Sequence, residues 1–260
     1  ALIAPVNGAD AVRASKFVFP VRASYKSEVD SVLAYFAIVP TRVAVLVQDD
    51  KFGQPLFAYI TEELKKTQYK NIRLAGAVVF GRKADELTNS TAQILAMKPR
   101  AVIALCNPTA CSQFLQSLLK QTSTTKDQRP AVAQLSNADM LAQFTELGAE
   151  GLVGNPFAQV MPDPRRSGLT IARDFVADVK RDGQGIDINY RSFEGYISAL
   201  VLVEGLKRAK ILTRQGVKEG MEAIGTLNLH GFTVEFTPTS RAGSTHVELV
   251  SLDRYGRVLH

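Results

Sequence analysis

The chain has 260 residues, of which 46% are hydrophobic and 22% are charged, a composition typical of a globular protein with a sizeable core. This composition excludes a disordered or collagen-like chain, and no apolar run approaches the ~20 residues that a membrane-spanning helix needs. The net charge of +6 comes from lysines and arginines scattered among acidic residues, so we expect no nucleic-acid partner. With two cysteines, three histidines and no Cys-x-x-Cys pair, we also expect no metal site and no cofactor.

The first forty residues contain two short strand-like segments, 2–6 and 17–21, and a helical pattern near 27–36. From Arg42 the pattern becomes regular. Residues 43–47 form a short apolar run that ends in polar residues, which predicts a buried parallel strand, and residues 55–66 carry their apolar side chains at helical spacing.

This strand-helix unit then repeats. We predict further strands at 72–80, 101–106, 131–135 and 151–154, with helices at 84–97, 109–121 and 137–147 between them. Regular alternation of strands and helices predicts a doubly wound α/β lobe with a parallel sheet.

The segments that flank this lobe contain more helix than strand. Three helical patterns follow Met161; the strongest is 192–209 and the third lies near 214–224. A strand, a loop and another strand are predicted over 232–236 and 246–252. Such flanks lack enough strands to cover their helices, so we expect part of a second lobe to lie outside this chain.

Several stretches, in this order along the chain, resemble the type I periplasmic solute-binding proteins of ABC importers, the leucine/isoleucine/valine-type receptors. They are residues 2–9 (Leu-Ile-Ala-Pro-Val-Asn-Gly-Ala), 21–25 (Val-Arg-Ala-Ser-Tyr), 47–53 (Val-Gln-Asp-Asp-Lys-Phe-Gly), 193–196 (Phe-Glu-Gly-Tyr) and 231–244, which opens with Gly-Phe-Thr and closes with Gly-Ser. No single stretch is specific, but their order and spacing over nearly the whole chain are.

The resemblance implies an α/β fold of two Rossmann-like, doubly wound lobes joined by three crossovers, with a ligand captured between the lobes. Lobe one would comprise residues 1–40 and 159–243, without the β-α units with which family members begin. Lobe two would comprise 41–158 and 244–260. The crossovers near 39–42, 157–162 and 243–246 would be the hinges, and closure around the ligand would be recognised by an ABC permease.

Ligands of open α/β sheets lie beyond the carboxyl ends of the strands, so we examine the loops after Val47, Cys106 and Leu135. Asn107 begins a predicted helix, where free N–H groups attract carboxylates, and Ser136 or Asn137 is predicted to begin the next one. Each of these residues could instead only cap its helix.

The resemblance also places Phe52 and Phe193 against the ligand, and Asn7 with Gly8 in a loop that meets a ligand carboxylate. Each has a structural alternative. Phe52 could fold back on its lobe, Phe193 fits the buried face of its own helix, and Asn7-Gly8 is a common turn pair.

The ligand class stays open between an amino acid and an aromatic or oxo acid. Family members that take α-amino acids place an acidic residue near the ammonium group, whereas the strand end here carries Gln134 and Ser136, which we predict to contact the ligand. Burying an ammonium without a carboxylate is costly, so an acid without an amine fits at least as well. Asp49 and Asp50 supply a charge to the ligand or are solvated loop acids near a helix start.

The remaining residues have mainly structural interpretations. Cys106 and Cys111 are expected to be free thiols, and Arg22 is expected to form an ion pair within lobe one. No dinucleotide, P-loop or nucleophile-elbow motif is present, so an enzyme is disfavoured.

The predicted function is therefore that of an extracytoplasmic or periplasmic receptor whose secretion signal has been removed, with a small carboxylate ligand and a membrane permease as partners. A ligand-sensing regulator or receptor ectodomain of the same fold is the alternative. A homodimer is left open, because an incomplete lobe would expose apolar surface.

Overall fold

The computed structural model describes residues 2–81 and 84–260. The helices are α1 Asp10–Arg13, α2 Tyr25–Phe36, α3 Gly53–Glu63, α4 Ala84–Ala96, α5 Pro108–Gln121, α6 Met140–Leu152, α7 Thr170–Asp182, α8 Tyr190–Arg208 and α9 Arg214–Glu222. The strands are β1 Leu2–Ile3, β2 Val18–Phe19, β3 Thr41–Gln48, β4 Ile72–Phe80, β5 Ala101–Leu105, β6 Ala131–Gln134, β7 Phe157–Gln159, β8 Gly225–Leu229, β9 Phe232–Phe236, β10 Glu248–Leu252 and β11 Val258–Leu259.

The chain divides into two compact units. Unit 1 comprises Ala1–Ser27 and Gln159–Glu248, and unit 2 comprises Glu28–Ala158 and Leu249–His260. This division differs from the predicted lobes chiefly at residues 28–40, which we had assigned to lobe one. Residues 28–40 contact other parts of unit 2, which accounts for the difference. Within this range, Asp30 accepts a hydrogen bond from the Tyr59 hydroxyl at 2.8 Å.

Unit 2 is built on a sheet with the strand order β11-β10-β7-β6-β5-β3-β4. Strands β3 to β7 pair in parallel, and β10 pairs antiparallel with β11. The side chains of β5 are all buried, as expected for a central parallel strand covered on both faces. The connections from β3 to β4 and from β4 to β5 run in opposite directions across the sheet. Because such crossovers are right-handed as a rule, we expect α3 and α4 on opposite faces of the sheet.

One predicted strand is wrong. Residues 151–154 end α6 and the turn after it, whereas the last parallel strand is β7. Asn155 explains the shift, because its Oδ1 accepts a hydrogen bond from the backbone N of Val132 at 2.8 Å and so occupies the edge of β6. Chain pairing with β6 resumes only at Pro156, whose carbonyl accepts from the backbone N of Gln134 at 3.1 Å.

Unit 1 contains a short parallel pair, β1-β2, and an antiparallel hairpin, β8-β9. We did not predict β8; its side chains are only partly buried, so it carries a weak hydrophobic signal. His230 and Gly231 close the hairpin with φ angles of 50° and 107°, the left-handed geometry that tight hairpin turns require. Helices α7 and α8 pack in the core, where the ring centroids of Phe175 and Phe193 are 5.1 Å apart.

Candidate functional site

The sheet of unit 2 has a topological switch point between β3 and β5. The chain leaves β3 towards β4 on one side and later returns to β5 on the other, so the loops after β3 and β5 diverge. In open α/β sheets the crevice between two such loops is the usual ligand site. Gln48, the last residue of β3, and Cys106, directly after β5, mark this edge.

Gln48 and Asn107 join the two loops. Gln48 is buried, and its Oε1 accepts from the backbone N of Asn107 at 2.9 Å and from Asn107 Nδ2 at 3.0 Å. The Asn107 side chain also caps α5, because its Oδ1 accepts from the backbone N of Ala110 at 3.0 Å, and Pro108 occupies the first turn. Asn107 itself is exposed, so the start of α5 is open to solvent.

Asp50 holds the start of α3 beside it. Its Oδ1 accepts from the backbone N of Phe52 at 2.8 Å and of Gly53 at 2.9 Å, and its Oδ2 accepts from Gln48 Nε2 at 2.8 Å. The carboxylate therefore stabilises the positive end of a helix, the structural alternative foreseen from the sequence. Phe52 is half-buried at this edge, and its role as a ligand contact stays a prediction.

The two cysteines form a disulfide, so the expectation of free thiols is wrong. The Cα atoms of Cys106 and Cys111 are 5.5 Å apart, within the range that a disulfide spans, and both residues are buried. The bond joins the end of β5 to the first turns of α5, on either side of Asn107. Because α5 starts only three residues after the end of β5, the two cysteine side chains come together, which spacing alone did not reveal.

Ser136 lies at the end of β6 and is bound by a buried acid. Glu28, on α2, is fully buried; its Oε2 accepts from the backbone N of Ser136 at 2.7 Å, and its Oε1 accepts from Ser136 Oγ at 2.8 Å. The predicted capping roles of Ser136 and Asn137 are wrong, because α6 begins later and Asp139 caps it. Sequence reasoning missed Glu28, since it is 108 residues from its partner.

Gln134 does not join this group. Its side chain is fully buried and forms a reciprocal pair with Gln143 of α6: each amide nitrogen donates to the other's oxygen at 2.9 Å. Both polar atoms of Gln134 thus have a partner within the packing of unit 2. We therefore leave Gln134 out of the proposed ligand contacts.

Unit 1 holds the remaining predicted residues. Asn7 is half-buried, and its Oδ1 accepts from the backbone N of Ala9 at 2.9 Å. Gly8 is buried, and a Cβ atom there would lie 2.9 Å from the backbone N of Tyr25, so a larger residue would displace the chain. Phe193 is fully buried in the core of unit 1, as its spacing on the helix indicated.

Arg22 and Glu194 form the ion pair expected within this part of the chain. Arg22 Nε donates to Glu194 Oε1 at 2.9 Å and its Nη2 to Oε2 at 3.2 Å, with both side chains buried. Burial raises the pKa of Glu194, and the guanidinium of Arg22 opposes this rise.

The described residues contain no group of three or more His, Cys, Asp or Glu side chains that could hold a metal ion. Within the same residues, no helix combines the length and the apolar character needed to cross a bilayer.

Residues 2–256 match the family model described as periplasmic binding protein. The chain belongs to this family. Its α/β fold is that of a type I periplasmic binding protein, as the sequence predicted. The family consists of solute-binding proteins. No curated protein matches the chain in a sequence search.

Solved periplasmic binding proteins support this assignment. An extracellular ligand-binding receptor from Verminephrobacter eiseniae is 25% identical with a TM-score of 0.88, and a substrate-binding periplasmic protein from Ralstonia solanacearum is 26% identical with a TM-score of 0.86. Both alignments cover 99% of this chain and 72% of the neighbour. A branched-chain amino acid ABC transporter protein from Thermus thermophilus with bound valine is 14% identical, with a TM-score of 0.80 and coverage of 99% and 70%.

Proposed function

We propose that this chain is the solute receptor of an ABC importer and binds a small carboxylate-bearing ligand. The observation that carries the ligand class is the start of α5 at the switch point of unit 2. Asn107 is exposed there, and N–H groups at a helix start attract carboxylates. Valine, bound to the Thermus thermophilus neighbour, carries such a carboxylate.

Whether the ligand also carries an amine depends on the acids of this edge. Asp50 already accepts three hydrogen bonds from its own loop and helix, and Glu28 is buried against Ser136. An ammonium group would have to compete with these partners. Amino acids and aromatic or oxo acids are thus both ligands to be tested, and Phe52, Asn7 and Gly8 remain the proposed further contacts.

The cellular setting follows from the family. We propose a periplasmic or extracytoplasmic location and an ABC permease as the membrane partner. The ligand would favour a closed arrangement of the two lobes, and the permease would recognise that arrangement.

A thermal unfolding screen tests this function. Valine, its oxo acid, phenylacetate and valinamide are added to the chain, and a carboxylate at 100 times its Kd stabilises the fold by about 2.7 kcal/mol. We expect saturable stabilisation by a carboxylate, none by valinamide, and no chemical change of the ligand. Equal stabilisation by valinamide would contradict the carboxylate assignment, and turnover would contradict the receptor function.

A pair of capping variants locates the site. Asn107→Ala should lower the affinity for the carboxylate found in the screen by about tenfold, since a charged ligand loses the organised helix start. Thr213→Ala removes a cap of the same kind from α9, where Thr213 Oγ1 accepts from the backbone N of Gly216 at 3.1 Å, and should leave the affinity unchanged. Equal affinities for both variants would place the ligand elsewhere.

A further inference from the structure

Unit 2 contains a basic cavity at the opposite end of its parallel strands. The cavity has a volume of about 530 Å³. It is lined by Arg42 near the start of β3, by Lys98 and Arg100 between α4 and β5, and by Arg129 before β6. Arg42 lies near the start of β3 and Gln48 at its end, about 20 Å apart along the strand. The cavity is therefore distinct from the switch-point site.

We infer that this basic cavity binds a phosphate-bearing anion. Four cationic side chains line it, and Asp127 is its one acidic lining residue in the described part of the chain. The volume lies within the range of about 300–1,000 Å³ typical of small-molecule sites. The inference is independent of the proposed receptor function.

Two of the guanidinium groups are held in place. Arg42 Nε donates to the carbonyl oxygen of Met97 at 2.9 Å, which leaves its two terminal nitrogens as further donors. Arg129 Nε donates to Oγ1 of the buried Thr122 at 2.8 Å. Arginines anchored in this way lose less side-chain freedom when they bind an anion than free surface arginines do.

The other two cations share the cavity with Asp127, and no ion pair joins them to it. Lys98 and Arg100 are exposed, and the described residues provide no ion pair for either. Glu150 pairs instead with Lys126 and with the lining residue Arg129: its Oε1 lies 2.9 Å from Lys126 Nζ and 3.4 Å from Arg129 Nη2, and its carbonyl oxygen accepts from Arg129 Nη1 at 3.1 Å. The charge of Lys98 and Arg100 is therefore available to a bound anion.

The negative C-terminal ends of two helices explain part of the positive charge that lines this cavity, but not all of it. The C-terminal ends of α4 and α5 are near this cavity, and each helix end carries about half a negative charge. Two such ends attract about one positive charge, and the carboxylates of Asp127 and Glu150 offset two more, so about one of the four positive charges is left for a bound anion. This remaining charge favours an anion, and the planar forks of arginine match phosphate oxygens.

Isothermal titration with pyrophosphate at low ionic strength tests the site. We expect saturable binding that Lys98→Gln combined with Arg100→Gln weakens by at least about tenfold, because charge-assisted hydrogen bonds are lost. Lys210→Gln combined with Arg254→Gln removes the same charge from exposed positions outside the cavity and should leave the binding unchanged. Circular dichroism verifies that each variant is folded.

Two further probes identify the source of the phosphate group. Flotation with phosphatidylglycerol and phosphatidylcholine vesicles asks whether a lipid headgroup occupies the cavity, and succinate asks whether a dicarboxylate does. Binding of pyrophosphate that the Lys98/Arg100 double variant weakens supports the inference and indicates a free phosphate. Binding of phosphatidylglycerol vesicles, but not of pyrophosphate, that the same variant weakens supports it and indicates a lipid headgroup. It is overturned if neither binds, if both double variants weaken binding equally, or if succinate binds more tightly than pyrophosphate.

Discussion

Gln48 and Asn107 connect the ends of two neighbouring parallel strands through one side-chain oxygen. Gln48 Oε1 accepts from both the backbone N and the Nδ2 of Asn107, while Gln48 Nε2 donates to Asp50. Because Asn107 caps α5 and Asp50 holds the start of α3, a single buried amide couples the first turns of two helices at the switch point.

Replacing this amide should destabilise unit 2. Gln48→Leu leaves the backbone N of Asn107 without its acceptor, and we expect a loss of about 1–3 kcal/mol in the free energy of unfolding, measured by urea denaturation. Gln54→Leu is the control, because the Gln54 side chain is exposed and its Nε2 donates to Oδ1 of the exposed Asp49 at 3.0 Å. A Gln48→Leu protein as stable as the control would show that the amide adds nothing.

The disulfide should contribute both stability and ligand affinity. Replacing Cys106 and Cys111 by alanine opens a short loop, which costs about 2 kcal/mol of unfolding free energy in the chain-entropy model. Because the bond flanks Asn107, the affinity for the carboxylate ligand should fall as well. Mass spectrometry after alkylation of the native protein should detect no free thiol; two alkylated thiols under oxidising conditions would contradict the bond.

Ser136→Ala should be costly although the side chain is small. The hydroxyl donates to the buried carboxylate of Glu28, and hydrogen bonds to charged groups contribute about 1.5–3 kcal/mol. Thr145→Ala removes a hydroxyl from the exposed face of α6, where Oγ1 donates to the Leu141 carbonyl, and should change stability by less than about 0.5 kcal/mol. Thermal unfolding of both variants provides the comparison, and similar losses would argue against a special role for Glu28.

Arg22→Met should destabilise unit 1 by about 3–5 kcal/mol, since Glu194 is left as a buried charge without its cation. Combining Arg22→Met with Glu194→Leu should recover part of this loss, because no buried charge remains. Urea denaturation of the two variants at neutral pH measures both effects. A double variant less stable than Arg22→Met alone would contradict this account.

The Arg22→Met protein should also respond to pH. Burial raises the pKa of Glu194, and without the guanidinium of Arg22 only the charge of Arg191 opposes this rise. The folded state then binds the proton more tightly than the unfolded state, whose carboxyl has a pKa of about 4.3. The variant should therefore be most stable below that pH and lose stability as the pH rises through the raised pKa. A difference in unfolding free energy between the variant and the wild type that does not change with pH would contradict this prediction.

The sequence by itself determined the repeating architecture of unit 2. Buried parallel strands are continuous apolar runs, and amphipathic helices between them have a different period, so both are local signals. The strand predicted over residues 72–80 coincides with β4, Ile72–Phe80. The ordered family stretches likewise predicted the type I periplasmic binding protein fold.

Only the tertiary structure decided which polar side chains meet. Glu28 and Ser136 are 108 residues apart, and Gln48 and Asn107 are 59 apart, so no local pattern relates them. The same holds for Gln134, which the sequence assigned to the ligand and the structure pairs with Gln143. A hydrogen bond depends on distances within a few tenths of an ångström, which the fold sets by bringing distant segments together, whereas periodicity specifies only which face of an element is buried.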